Sequence, residues 1–358
     1  MNELINTQSN QLGINDFLNA SQKYTENVFP NLNMQNLFSS SISGNLGNVF
    51  DFKNILKIFL SEMSTSINLI VSIFIVIIIH SIFKAIVQGL GNSTSSKVVY
   101  FVQYLIIVTI IINSFISILE MTQNSISDII NFMNLLIPLL MTLMLTTGTL
   151  VTTSVTQPIL IFMINFIGNF INLFIIPLVL VAMTISIISN ISDKIQINKL
   201  SKFLKSSVIW ILGIILTVFS CVLSIEGTLS SSVDGLTGKT AKAAVSSFIP
   251  IVGKILGDTV DSVIGCGNIL KNSVGIIGVI IISCIVLVPM VKILILWFSF
   301  KMTAAVCEVV ADDRIIKLLD QIADGYKIML AILVSISVMF IIGITIVLKI
   351  TNSALMYR

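Results

Sequence analysis

Hydrophobic positions along this chain are gathered into long blocks separated by short polar stretches, and the longest block, residues 129–192, contains no charged residue. One bilayer crossing takes about 20 apolar residues, so this block is too long for one ordinary span and awkwardly long for two. Further apolar blocks predict spans at about residues 64–83, 98–119, 206–224, 272–291 (continuing past Lys292 to Phe300) and 328–348. Blocks of this length, with no alternating segments between them, predict an all-α fold: a polytopic transmembrane helical bundle of six to eight crossings. Residues 1–61 are Asn- and Ser-rich and read as a polar, extracytoplasmic N-terminal tail. Most of that tail is expected to be flexible or only locally ordered, with short interfacial helices at patches such as residues 14–18 and 48–60. Residues 62–350 form the membrane domain, and residues 351–358 a short tail.

Charge adds sidedness. Lysines in short loops favour the cytoplasm. Lys84 and Lys97 stand between the first two spans with no acid, whereas Glu120 and Asp128 follow the second span with no base. Lys194, Lys199, Lys202 and Lys205 cluster after the charge-free run. The run therefore begins outside and ends inside, and must cross an odd number of times: three short crossings, or one beside a re-entrant segment. Pro138, the Thr-rich stretch 146–156 before Pro158, and Pro177 are the natural breakpoints. Both termini then lie outside.

Composition agrees with this reading. Mean hydropathy is +1.03, and 55% of residues are hydrophobic and 10% charged, against roughly 25% charged in soluble proteins. A net charge of +3 is too small and scattered to argue for nucleic acid. Cys221, Cys266, Cys284 and Cys307 show neither paired CxxC spacing nor a disulfide framework. With a single histidine, His80, near the end of the first span, an HExxH zinc site is excluded and a His-based triad nearly so, and no enzyme, cofactor or metal is expected. The stretch from Gly235 to Thr240 superficially resembles a phosphate-binding loop, but that motif needs a glycine at position 233, which is Val.

Three features are candidates for function. Asn165, Gly168, Asn169 and Asn172 share one helical face inside the charge-free run; such a face either packs against another helix or lines a hydrated conduit. Residues 226–271 combine four acids and four lysines with small residues and glycines. They read as an extracytoplasmic amphipathic or re-entrant segment, with Glu226, Asp234, Lys239, Lys242, Asp258 and Asp261 offering a vestibule or docking surface for a partner. In its second half, Phe248, Val252, Ile255, Leu256 and Val263 form the apolar face. Residues 308–327 read as a compact cytoplasmic amphipathic helix that starts at Asp312 or Asp313 and ends at Gly325.

The segment EGTLSSSVDGLTGKTAKAAVSSFIPIVGKILGDTVDSVIGC, followed by KNSVGIIG and later by FKMTAAVCEVVADDRIIKLLDQIADGYK, resembles the stage III sporulation protein AE family of endospore-forming bacteria, over about residues 60–350. The resemblance implies a multi-pass cell-membrane subunit of the channel, or feeding tube, joining mother cell and forespore. It would sit on the mother-cell side, in the outer forespore membrane, with other stage III sporulation A-operon membrane proteins as partners. Self-association is left open. Family members commonly begin with a cleavable signal peptide, and the first 25 residues here lack its basic start and apolar core. The resemblance assigns no catalytic residues. The alternative from the residues alone is a self-contained secondary transporter, with broken helices near Pro138, Pro158 and Pro177 forming a midplane site.

Overall fold

A long apolar block without helix-breaking pairs can satisfy its backbone only by running as helix when no water is at hand, and the blocks here do so. The computed structural model describes every residue except 1, 27, 31, 46–51, 90–92, 191–196, 249–251, 309–310 and 357–358. Among these described residues, three short helices, α1 (Asn2–Gln11), α2 (Ile14–Ser21) and α3 (Met34–Ser43), precede seven longer ones. These are α4 (Phe52–Gly89), α5 (Ser93–Thr146), α6 (Leu150–Phe170), α7 (Ile176–Ser189), α8 (Asn198–Phe248), α9 (Val252–Cys307) and α10 (Asp313–Met356). A π turn at Ile171–Ile175 joins α6 to α7 into one rod. No strand occurs among the described residues. Among the described residues, six stretches are long and apolar enough to span a bilayer: Lys53–Ile79, Tyr104–Thr146, Leu150–Ser189, Asn198–Asp234, Val263–Cys307 and Asp313–Ile350.

Close approaches at small residues set the packing, as expected where helices associate without a hydrophobic driving force. A Cβ on Gly278 would lie 2.6 Å from Leu136 of α5, and one on Gly267 would lie 2.6 Å from the Thr146 hydroxyl, so α5 and α9 run antiparallel. Gly275 meets Leu348 while Lys301 pairs with Asp320, so α9 and α10 are also antiparallel. Gly343 packs on Phe219 and Gly227 on Ile350, which aligns α8 parallel to α10. Tyr104, Phe132, Phe219, Phe300, Tyr326 and Phe340 are the large side chains at the centre.

Three sequence expectations change. The outside loop expected at residues 120–128 is continuous helix inside α5. That stretch has no Gly or Pro, and its hydroxyls bond back to their own helix: Thr122 to the Ile118 carbonyl and Ser125 to that of Met121, both at 2.8 Å, and Ser127 to that of Gln123 at 3.0 Å. Polar residues satisfied in this way do not interrupt a helix. Over its described residues, 129–190, the charge-free run is therefore the end of α5, a turn at residues 147–149 and the α6–α7 rod, with no break that would make a re-entrant segment. Pro138 and Pro158 lie inside unbroken helices.

The N-terminal tail is a packed cap. Ile14, Leu18, Met34 and Leu37 are buried, and the rings of Phe17 and Tyr24 lie 6.0 and 5.6 Å from that of Phe132 on α5. Gln22 ties the cap together, donating to the Leu32 carbonyl at 2.8 Å and accepting from the Met34 amide at 3.3 Å. Asn33 caps α3 through the Gln35 amide at 2.8 Å, and Gly44 closes that helix at φ 73°. The apolar residues that anchor the cap are diluted by Asn and Ser, which hides them from composition.

Residues 313–327 do not form a separate helix but open α10, which continues through Gly325 to Met356. Gly325 is there for proximity: Met183 of α7 occupies the space a side chain would need.

Candidate functional site

The α6–α7 rod lies against α8 along its whole length, and polar side chains meet at both ends of this contact. At the α7 end the network is closed. Ser186 and Ser201 share a hydrogen bond of 2.5 Å, and Ser201 also donates to the Ala182 carbonyl at 2.8 Å. Ser189 donates to Asn198. Asn190 donates to the Gln321 side chain of α10 at 2.8 Å, and Gln321 donates on to Asn198 at 3.1 Å. The Lys205 ammonium reaches the Gln321 backbone carbonyl at 3.0 Å. Nearby, Tyr104 donates to the Ile187 carbonyl at 2.5 Å, Ser114 bonds Tyr326 at 3.0 Å, and Lys301 pairs with Asp320 and, at 3.6 Å, with Asp324.

The α6 end holds carboxylates. Asp234 of α8 accepts from the backbone amides of Val151 at 2.9 Å and Thr152 at 2.8 Å, so it caps α6 where the helix dipole favours negative charge. Two turns earlier on α8, Glu226 Oε1 accepts from Thr156 at 2.6 Å and Ser230 at 2.9 Å. Glu226 Oε2 and the Thr152 hydroxyl are buried with no hydrogen-bond partner. Positions 226, 230 and 234 stand at i, i+4 and i+8, one face of α8; that spacing was readable beforehand. Their burial was not, because charge alone had assigned them to an outside segment. Glu226 and Asp234 are only 8% and 4% exposed and face α6. Residues 226–248 are the end of α8 and residues 252–271 the start of α9; the side chains of Lys239, Lys242, Asp258 and Asp261 lie outside the described residues.

The asparagine face divides. Asn165 exchanges two hydrogen bonds with Asn134 of α5, at 3.1 and 3.2 Å, and donates a third to the Ile161 carbonyl at 2.8 Å. Gly168 packs directly on Ile130. Asn169 is exposed, and Asn172 Oδ1 is buried without a partner. Asn134 was not singled out in sequence: it sits on another helix, 31 residues away. Among the described residues, no group of three or more His, Cys, Asp or Glu is gathered for a metal, and Cys266, Cys284 and Cys307 are buried free thiols, with Cys221 exposed.

Over residues 32–351 the sequence matches the family described as stage III sporulation protein AE. A curated relative, the stage III sporulation protein AE of Bacillus subtilis (strain 168), is 29% identical over 286 residues, covering 79% of this chain and 72% of the relative. No solved structure matches the chain.

Proposed function

Because the chain belongs to the stage III sporulation protein AE family, we propose that it is a non-enzymatic membrane subunit of the channel complex joining mother cell and forespore. In this reading it sits in the outer forespore membrane on the mother-cell side, beside other stage III sporulation A-operon membrane proteins, with its lysine-rich connections in the cytoplasm.

Family membership carries the reading, and the apolar length of the α6–α7 rod supports the assembly part of it. The span Leu150–Ser189 holds 40 residues, about 60 Å of helix at 1.5 Å per residue, against a hydrocarbon core of ~30 Å. Even at a tilt of about 40°, the upper end of the usual range, a bilayer covers only about 26 residues of helix. Apolar side chains are nevertheless exposed from Leu150 to Ile188, with Leu173 79% exposed. The surplus, about 14 residues long, needs protein to cover it, which suits a subunit better than a solitary permease. A self-contained transporter would need unwound helices at Pro138, Pro158 and Pro177. The first two are in unbroken helix, and Pro177 follows a π turn with no unwound residue.

The test is depletion in a spore-forming host that carries this protein. Arrest of forespore development after engulfment is expected; normal late forespore gene expression without the protein would overturn the reading. Solute uptake by the purified protein alone in liposomes would favour the transporter instead.

A further inference from the structure

Glu226 is the one buried carboxylate of the α6–α8 contact whose charge nothing described answers. Asp234 has two backbone amides and the positive end of α6. Glu226 has two neutral hydroxyls on one oxygen and nothing on the other, and it takes part in no ion pair among the described residues. A buried, unneutralised carboxylate in a membrane-spanning helix is strongly disfavoured. α6 has no charged residue. Among the described side chains of the other packed helices, α10 offers Lys349, exposed beside the Ile350 that packs on Gly227, and α9 offers the buried Lys271; no ion pair to Glu226 is among those described, and the side chains of Lys239, Lys242, Lys254, Asp258 and Asp261 lie outside the described residues.

A second orphan stands in the same contact. Thr152 is fully buried and its hydroxyl has no partner. It lies one turn before Thr156, which bonds Glu226, on the same face of α6, and its own backbone amide is one of the two that bond Asp234. Thr156 and Ser230, which donate to Oε1, each keep hydroxyl lone pairs for accepting. The available donor set is thus one carboxylate and up to three hydroxyl oxygens. This is hard-ligand chemistry, suited to a proton or an alkali ion and poor for soft metals.

We propose that Glu226 is the carboxylate of a monovalent-cation site between α6 and α8, completed by the hydroxyls of Thr152, Thr156 and Ser230, which takes a proton or sodium. The site is independent of the assembly role proposed above: it is tested on the purified protein, so its failure leaves the depletion result untouched.

The experiment is labelling of the full chain in detergent micelles with dicyclohexylcarbodiimide, which attacks protonated carboxyls in apolar surroundings, followed by peptide mass spectrometry. An adduct on Glu226 that forms faster as pH falls is expected. If the ion is sodium, labelling slows about tenfold when sodium is near ten times its Kd, while choline has no effect. If only a proton binds, pH alone controls the rate. No adduct on Glu226 in folded protein, or a rate indifferent to both pH and sodium, overturns the proposal. Thr152→Val, which keeps the shape and removes the hydroxyl, should weaken sodium protection and leave pH-dependent labelling in place; unchanged protection would remove Thr152 from the site.

Discussion

The two ends of the α6–α7 contact with α8 are built from similar residue types and end in different states. At the α7 end, Ser186, Ser189, Asn190, Asn198, Ser201, Lys205 and Gln321 all have hydrogen-bond partners, and three helices are joined. At the α6 end, Asp234 is fully engaged while Glu226 and Thr152 each keep an unpartnered oxygen. A closed network is a latch, because removing any member strands another. An open one leaves capacity for something not contributed by the chain. Polar residues inside a membrane protein therefore divide by whether their bonds are complete, a distinction that composition does not make.

Four substitutions, measured as shifts in reversible unfolding in mixed micelles, probe this contrast. Asp234→Ala should cost most, about 3 kcal/mol, since two amides at the start of α6 lose a charged acceptor; a loss below about 1 kcal/mol would mean water replaces the cap. Gln321→Ala should cost about 2 kcal/mol by removing the acceptor of one Asn190 N–H, which keeps its bond to the Ser186 carbonyl, and the amide donor to Asn198. If the latch is cooperative, the double variant with Asn190→Ala will cost less than the sum of the singles. Gly168→Ala should cost about 1 kcal/mol by displacing Ile130, and adding Ile130→Ala should remove that overlap and bring the double variant below additivity. Lys301→Ala should cost least, under about 1 kcal/mol. Its partners Asp320 and Asp324 have half-exposed side chains, and such pairs contribute little.

Span centres were readable from sequence because a lipid-exposed helix must be apolar for its whole crossing; all the predicted spans fall inside observed helices. Their ends were not. Residues 120–128 look like a loop by polarity, yet Thr122, Ser125 and Ser127 supply their own acceptors within the helix. Gly325 looks like a stop signal, yet it serves the approach of Met183. Glu226 and Asp234 mark a helix face by spacing, but whether that face meets water or α6 depends on a hairpin turn 80 residues earlier, which no local pattern encodes. The Asn165 face was visible as polar; its partner Asn134 depends on how α5 and α6 register.

The π turn sets a rule of length. With five residues where a regular turn takes about four, Ile171–Ile175 advances the phase of everything after it, and the following Pro177, which cannot donate to a carbonyl four back, accounts for its position. Through it, the buried stripe of Leu160, Ile164 and Ile167 passes into Ile175, Val179 and Ser186. Deleting one codon within this turn would rotate α7 by about 100° relative to α6, swinging Ser186 and Asn190 away from α8 and α10 and opening the latch without altering any of its residues. Substitution at Leu173, which faces outward, would leave that geometry alone. At this point the chain is more sensitive to the number of its residues than to their identity.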